Sequence, residues 1–119
     1  MRYWQEGSDE EWSVAEILLE KGKYRQALFF GHLALEKILK ALVVRATEEI
    51  PPRIHNLRTL AEMTGCKVPN DVMIELRNVE AHQIRGRYPT EGTRLPSPKM
   101  AREDLERMER LRQWFKKQF

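Results

Sequence analysis

The stretch that decides the fold is Ala27-Leu-Phe-Phe-Gly-His-Leu-Ala-Leu-Glu-Lys-Ile-Leu-Lys-Ala-Leu42. Its apolar residues return every three or four positions, which is the repeat of an α-helix with a buried face. A second apolar stripe consists of leucines one heptad apart, Leu28, Leu35 and Leu42. The pattern predicts a long helix over about Tyr24–Glu48. Its wide apolar surface indicates either a central helix with neighbours on several sides or a face that meets a second subunit, and we expect a homodimer.

The segment before this helix carries its own start and stop signals. Ser8 and Glu11 form an S-x-x-E capping box, which predicts that the first helix begins there and that Trp4 lies outside it. Gly22 is its predicted stop, because glycine readily adopts the left-handed conformation that ends helices. The central helix ends before Pro51-Pro52, since proline cannot continue a helix.

Three further helices are predicted downstream, with approximate bounds 57–63, 70–86 and 97–119. Asn56 and Ser97 are the predicted N-caps, and Gly65 and Gly86 are the predicted stops. The segment 88–97 is rich in turn-forming residues and is predicted as a loop. We expect the arginines and lysines of the last helix to lie on a solvated face. The whole pattern predicts an all-α antiparallel bundle of about five helices, forming a single domain over residues 1–119.

Composition narrows the class of protein. Hydrophobic residues make up 41% and charged residues 33% of the 119 residues, as in well-solvated helical proteins. No apolar run approaches the roughly 20 residues that span a bilayer, and the polar N-terminus does not resemble a signal peptide. We therefore expect a cytoplasmic protein. Cys66 is the only cysteine, and the sequence shows no metal-ligand cluster or phosphate-binding glycine loop, so no metal or cofactor is predicted.

The strongest chemical pattern lies in the predicted fourth helix, within Leu76-Arg-Asn-Val-Glu-Ala-His82. Arg77 could neutralise a phosphate, Asn78 could orient it, and His82 could transfer a proton near neutral pH. Asn78 and His82 are four residues apart and share a helical face, whereas Arg77 is five residues from His82. The alternative is an ordinary solvated helix face with a histidine that meets the helix dipole.

Positive charge concentrates in the same part of the chain. Between Arg77 and Lys99 there are five basic and two acidic residues, a net charge of +3 that equals the net charge of the whole chain. Such a local field attracts anionic ligands. Arginines near the end of a helix can also simply complement its dipole.

Several separated motifs together resemble the HEPN family (higher eukaryotes and prokaryotes nucleotide-binding domain). The stretch 27–42, with its E-K-x-L-K-A-L core, is similar to the second-helix signature of that family. His55-Asn56-Leu57 and Arg87-Tyr88-Pro89 are typical of its small stand-alone prokaryotic members. The resemblance covers nearly the full chain.

The resemblance implies a helical bundle that commonly dimerises and is often encoded beside a minimal nucleotidyltransferase as a toxin–antitoxin pair. Many members carry an R-x(4–6)-H motif for metal-independent RNA cleavage, and Arg77, Asn78 and His82 fit it. In the toxin branch a tyrosine that the partner can modify with AMP often stands two residues after the histidine. This chain has Ile84 there.

Two functions are therefore open. The first is a nucleotide- or RNA-binding module, with Arg85, Arg87 and Tyr88 as further binding residues and a minimal nucleotidyltransferase as partner. The alternative is a metal-independent endoribonuclease whose catalytic residues are Arg77, Asn78 and His82.

The remaining polar residues of the central helix are expected to be structural. Glu36 is expected to hydrogen-bond His32 and to form an i,i+4 ion pair with Lys40. His55 is expected to join the hydrogen-bond network of the loop that precedes the third helix.

Overall fold

Five α-helices make up the described part of the chain in this computed structural model, which covers residues 2–87 and 97–119 and, over 82–87, the backbone alone. In chain order they are α1 (Arg2–Glu20), α2 (Tyr24–Thr47), α3 (Leu57–Met63), α4 (Asn70–Arg87) and α5 (Pro98–Lys116). These residues contain no β-strand. The prediction of an all-α bundle of about five helices is confirmed, while the predicted loop before Ser97 lies outside the described residues.

The helix α2 forms the centre of the bundle. The other four helices all contact it, and half of its residues are buried. Its buried apolar side chains are Ala27, Ala34, Leu35, Ile38, Leu39, Ala41, Leu42 and Val43. Most of the wide apolar surface predicted for this helix is therefore buried within one chain, while Phe29 is exposed.

The helix α5 packs on α2 at a glycine. A Cβ atom at Gly31 would lie 2.7 Å from Leu105 Cδ2 and 2.8 Å from Met108 Sδ, so any larger residue would force these side chains to move. Further along both helices, Arg45 donates a hydrogen bond of 2.6 Å to the carbonyl oxygen of Gln118. Residues later in α2 therefore contact residues later along α5 and its C-terminal end, which shows that the two helices run parallel. The neighbouring helices α1 and α4 run the opposite way.

The helix α1 begins earlier than predicted. It starts at Arg2, so Ser8 lies inside the helix, where it is fully buried and donates a hydrogen bond of 2.7 Å to the carbonyl oxygen of Ala34. The predicted capping box at Ser8 was therefore wrong, and Trp4 belongs to the helix. The physical reason is tertiary, because capping contributes only about 1 kcal/mol and packing of a whole helical turn against α2 outweighs it.

The other helix ends follow the sequence signals. Asn56 accepts a hydrogen bond from the Thr59 amide, and Ser97 accepts one from the Met100 amide, which confirms both as N-caps. Gly22 and Gly65 have φ angles of 74° and 75°, as expected of helix stops in the left-handed region. Among the described helices, none is both long enough and apolar enough to cross a bilayer.

A buried arginine ties α5 to α1. Arg112 is only 5% exposed, whereas we expected the basic side chains of this helix to be solvated. Its guanidinium lies over the Trp12 ring and contacts Asp9 at 2.7 Å and Glu109 at 3.0 Å. Lys116 adds a contact of 3.1 Å to Asp9. Partial burial raises the pKa of Asp9, but hydrogen bonds from Arg112 and Lys116 outweigh burial, so its pKa is lowered from its ordinary value.

We expect Asp9→Asn to lower the free energy of unfolding at neutral pH and to have less effect in acid. A carboxylate with a lowered folded-state pKa stabilises the protein above its unfolded value of about 3.9, and that stability is lost as the pH falls through the folded value. Because Asp9 is half-exposed, solvent screens the pair and the neutral-pH loss should be about 0.2–1 kcal/mol. Urea unfolding of the wild type and the variant at pH 7 and pH 3 measures the loss in free energy of unfolding.

The matched control for this substitution is Glu10→Gln, which changes the neighbouring exposed carboxylate. We expect Glu10→Gln to leave the free energy of unfolding nearly unchanged at both pH values. An Asp9→Asn loss that is equally large at pH 3 would contradict an ionic origin.

Candidate functional site

The middle of α4 buries one face and displays the other. Leu76 is fully buried and Val79 is 1% exposed, so these two side chains fix the rotation of the helix against the core. The residues between them, Arg77 and Asn78, are exposed. The structure thus brings two of the predicted site residues together on an accessible surface of α4.

The remaining predicted site residues are only partly covered by the structure. The side chains of His82, Arg85 and Arg87, and the whole of Tyr88, lie outside the described residues. The backbone of α4 is helical as far as Arg87, one residue beyond the predicted stop at Gly86. Position 82 therefore follows position 78 by one helical turn, as the motif spacing assumed.

An acidic residue beside Arg77 is engaged elsewhere. Glu80 lies three residues further along α4, where it could pair with Arg77. Its carboxylate instead accepts a hydrogen bond from the backbone amide of Leu57, at the start of α3. Arg77 forms no ion pair with any side chain of residues 2–81 or 97–119. Among the described side chains, Arg77 is thus an exposed cation without an ion-pair partner.

A second polar cluster lies on α2. Glu36 and Lys40 are buried and form the predicted i,i+4 ion pair at 3.5 Å. The other carboxylate oxygen of Glu36 lies 3.0 Å from Nδ1 of His55. Trp4 lies over this cluster, with its ring centre 5.7 Å from the Lys40 ammonium. Lys40 is thus in contact with both a carboxylate and an aromatic face, which offsets the cost of burying its charge.

The partner of Glu36 differs from our expectation. His32 was expected to hydrogen-bond Glu36 from one turn earlier on α2, but His55 takes that place from the connection between α2 and α3. The sequence signal that could have identified His55 is the His-Asn-Leu motif at 55–57. Each residue of that motif has a separate task, since Asn56 caps α3 and Leu57 is fully buried with its amide on Glu80.

The two clusters are joined through this short motif. His55 is tied to α2 by Glu36, and Leu57 is tied to α4 by Glu80. Residues 55–57 therefore lie between the polar cluster of α2 and the 77–80 turn of α4. We refer to Glu36, Lys40, His55, Arg77 and Asn78 together as the candidate site.

Neither a metal-ligand cluster nor a pocket provides a stronger candidate site among the described residues. In the described part of the chain, no three His, Cys, Asp or Glu side chains lie close enough together to hold a metal ion. A shallow open groove between α4 and α5 is lined by Asp71, Val72, Glu75, Arg110, Leu111 and Trp114. The Arg110 guanidinium lies 4.0 Å from the Glu75 carboxylate, so the opposite charges in this groove face each other.

Comparison with known proteins places the chain in a family. The family model of the HEPN domain matches residues 1–118. The fold is similar to that in the crystal structure of TT1696 from Thermus thermophilus, with a TM-score of 0.83 and 22% sequence identity. That match covers 99% of this chain and 97% of the other. No curated protein matches the sequence. Because the family model spans almost the entire sequence, this chain belongs to the HEPN domain family.

Proposed function

We propose that this protein is a nucleotide- or RNA-binding module that uses the exposed α4 surface at Arg77 and Asn78. The observation that carries the proposal is that exposed Arg77 forms no ion pair with a described side chain, while the nearby acid Glu80 accepts a hydrogen bond from the Leu57 amide. Membership of the HEPN family supports a nucleotide- or RNA-related module in general. The net charge of +3 over residues 77–99 favours an anionic ligand.

The proposed partners are those that the resemblance to the HEPN family implies. The protein would act with a minimal nucleotidyltransferase in a toxin–antitoxin-like pair and would form a homodimer. Exposed apolar side chains that a dimer could bury include Tyr3, Phe29, Ile50 and Ile74. Arg85, Arg87 and Tyr88 would extend the ligand-binding surface beyond α4, with the tyrosine ring available for base stacking. A sedimentation experiment that gives a monomer mass at all concentrations would remove the homodimer.

A second candidate function is metal-independent RNA cleavage through Arg77, Asn78 and His82. It is favoured by the continuous helical backbone from 77 to 87, which keeps positions 78 and 82 on one face. Arg77 would stabilise the charge of the pentacoordinate phosphate, Asn78 would orient the site, and His82 would exchange protons. Position 84 holds isoleucine and not the tyrosine typical of the toxin branch. For this reason we place the binding function before the cleavage function.

For RNA binding, we expect Arg77→Ala to weaken the affinity for a single-stranded oligonucleotide and to flatten its salt dependence. Each phosphate contact on a single strand contributes about −0.7 to the slope of log affinity against log salt, so loss of one contact should remove about that amount. Fluorescence anisotropy at several salt concentrations measures both effects. Lys117→Ala, which removes an exposed cation at the end of α5, should leave both unchanged. Equal losses in the two variants would indicate non-specific attraction.

For the partner, we expect the protein to co-purify with the minimal nucleotidyltransferase encoded by the neighbouring gene. When that enzyme is supplied with ATP, mass spectrometry should find no AMP on residue 84, because isoleucine has no hydroxyl to accept it. AMP on Tyr88 would mean that the modification occurs at a shifted position. Absence of such a neighbour, together with no binding of RNA or nucleotides, would refute the binding-module proposal.

For RNA cleavage, we expect activity that survives a metal chelator and yields products with a 2′,3′-cyclic phosphate and a 5′-hydroxyl. Loss of a general acid–base commonly costs about 10²–10⁴-fold in rate, so His82→Ala should nearly abolish cleavage without unfolding the bundle. Gel analysis of end-labelled RNA, with circular dichroism for folding, checks this. Cleavage that persists unchanged in His82→Ala would rule out this role for His82.

A further inference from the structure

The contact between His55 and Glu36 has the geometry of a carboxylate–imidazole dyad. Nδ1 of His55 lies 3.0 Å from Oε1 of Glu36. The carboxylate is 5% exposed, whereas the imidazole is 66% exposed. The second oxygen of Glu36 is held by the Lys40 ammonium at 3.5 Å. A buried, doubly held carboxylate thus orients a ring that is open to solvent.

This arrangement determines which ring nitrogen can accept a proton. A carboxylate beside Nδ1 favours the neutral tautomer that carries its hydrogen on Nδ1. The lone pair is then on Nε2, the nitrogen that does not contact Glu36. The same division of roles lets a buried carboxylate orient a catalytic histidine in hydrolytic enzymes. That tautomer is the one required of a general base.

The backbone that follows His55 is anchored to two helices. Asn56 accepts hydrogen bonds from the amide and the hydroxyl of Thr59, at 2.9 Å and 3.1 Å. The Leu57 amide donates to Glu80 on α4, and the Leu57 side chain is fully buried. The imidazole thus extends from a segment fixed to three helices. Such anchoring is what positioning a proton-transfer group requires.

Two arginines lie close to His55 in the sequence. Arg53 precedes His55 by two residues and Arg58 follows it by three, with no acidic residue between the two arginines. Both arginines are exposed, and neither forms an ion pair with a side chain of the described residues. Arg53 and Arg58 are therefore the candidate phosphate-binding residues of the segment that carries the exposed imidazole.

We propose that His55, oriented by Glu36, is a proton-transfer residue of an RNA phosphodiester-cleaving site, with Arg53 and Arg58 as its phosphate-binding residues. The inference rests on the proposed handling of RNA and names His55, from outside α4, as the proton acceptor in place of His82. Glu36 is a positioning residue, since it acts through the imidazole. RNA is the substrate class because its 2′-hydroxyl supplies both the proton that Nε2 accepts and the nucleophile.

The proposed step balances without any cofactor. Nε2 of His55 takes the proton of the 2′-hydroxyl as the 2′-oxygen forms a bond to phosphorus. The bond between phosphorus and the 5′-oxygen breaks, and the leaving oxygen takes a proton from water. The products are a 2′,3′-cyclic phosphate and a 5′-hydroxyl, and His55 returns its proton to solvent.

The test uses the full chain, an end-labelled single-stranded RNA and a metal chelator. At saturating RNA, we expect His55→Gln to lose about 10²–10⁴-fold in cleavage rate, as for other general bases. Its dissociation constant, measured on a non-cleavable 2′-O-methyl oligonucleotide, should stay within about twofold because the phosphate-binding residues remain. Glu36→Gln, which preserves a hydrogen-bond acceptor, should lower the rate and not the affinity. The double variant Arg53→Ala/Arg58→Ala should weaken binding. The control Lys117→Ala should alter neither the cleavage rate nor the dissociation constant.

A second measurement does not depend on cleavage. Imidazole ring resonances of wild-type protein are recorded by NMR with and without the 2′-O-methyl oligonucleotide. The chain has three histidines, so the His55 signal is assigned by its absence in His55→Gln. We expect the His55 ring resonance to shift when the oligonucleotide binds. A resonance that does not move would overturn the inference.

The outcomes separate this inference from the proposed function. If wild-type protein cleaves RNA and folded His55→Gln cleaves it equally fast, His55 is only a structural anchor and the inference fails while the function stands. If the wild type binds RNA but does not cleave it, the inference fails together with the ribonuclease candidate, and the binding module remains. If the wild type binds no RNA, the proposed RNA-binding function fails as well.

Discussion

The central position of α2, which the other four described helices all contact, is the constraint on which the rest of this structure depends. Between Ala27 and Val43 most of its residues are buried, and most of the buried ones are apolar or small. Removal of this surface from water is the main favourable term in folding a bundle of this size. Interior packing is close enough that one extra methyl group at Gly31 would collide with α5. The order and spacing of the other helices follow from this packing.

The central position of α2 also means that its buried polar residues need specific partners. Glu36 and Lys40 are buried in the central helix, and a buried charge is tolerated only with partners that replace water. Their mutual ion pair supplies one partner, and His55 and Trp4 supply the others. Since His55 is exposed, the cluster runs from the core to the surface. A structural requirement of α2 thus places an oriented imidazole where a ligand can reach it.

The connection between α2 and α3 links this cluster to the helix that carries the family motif. Glu80 accepts a hydrogen bond from the Leu57 amide and forms no ion pair with Arg77. The start of α3 is thereby tied to α4, beside the exposed Arg77. In the proposed function this arginine would attract a phosphate-bearing nucleotide or RNA.

Local sequence patterns determined the helix order, most helix ends and the family of this protein. Asn56, Gly65 and Ser97 act where capping chemistry predicts, because each effect involves residues within one turn. The ion pair of Glu36 with Lys40 was predictable for the same reason, as was the juxtaposition of Arg77 with Asn78.

Only the tertiary structure decided the partners that lie far apart along the chain. The tertiary fold turned Ser8 from an expected helix cap into a buried donor to Ala34, 26 residues away, and buried Arg112 against Asp9, 103 residues away. It likewise selected His55 over His32 as the imidazole on Glu36. Helical periodicity shows which residues share a face, but the rotation and approach of packed helices determine which faces meet. That choice depends on close packing of the whole bundle, and no local pattern contains it.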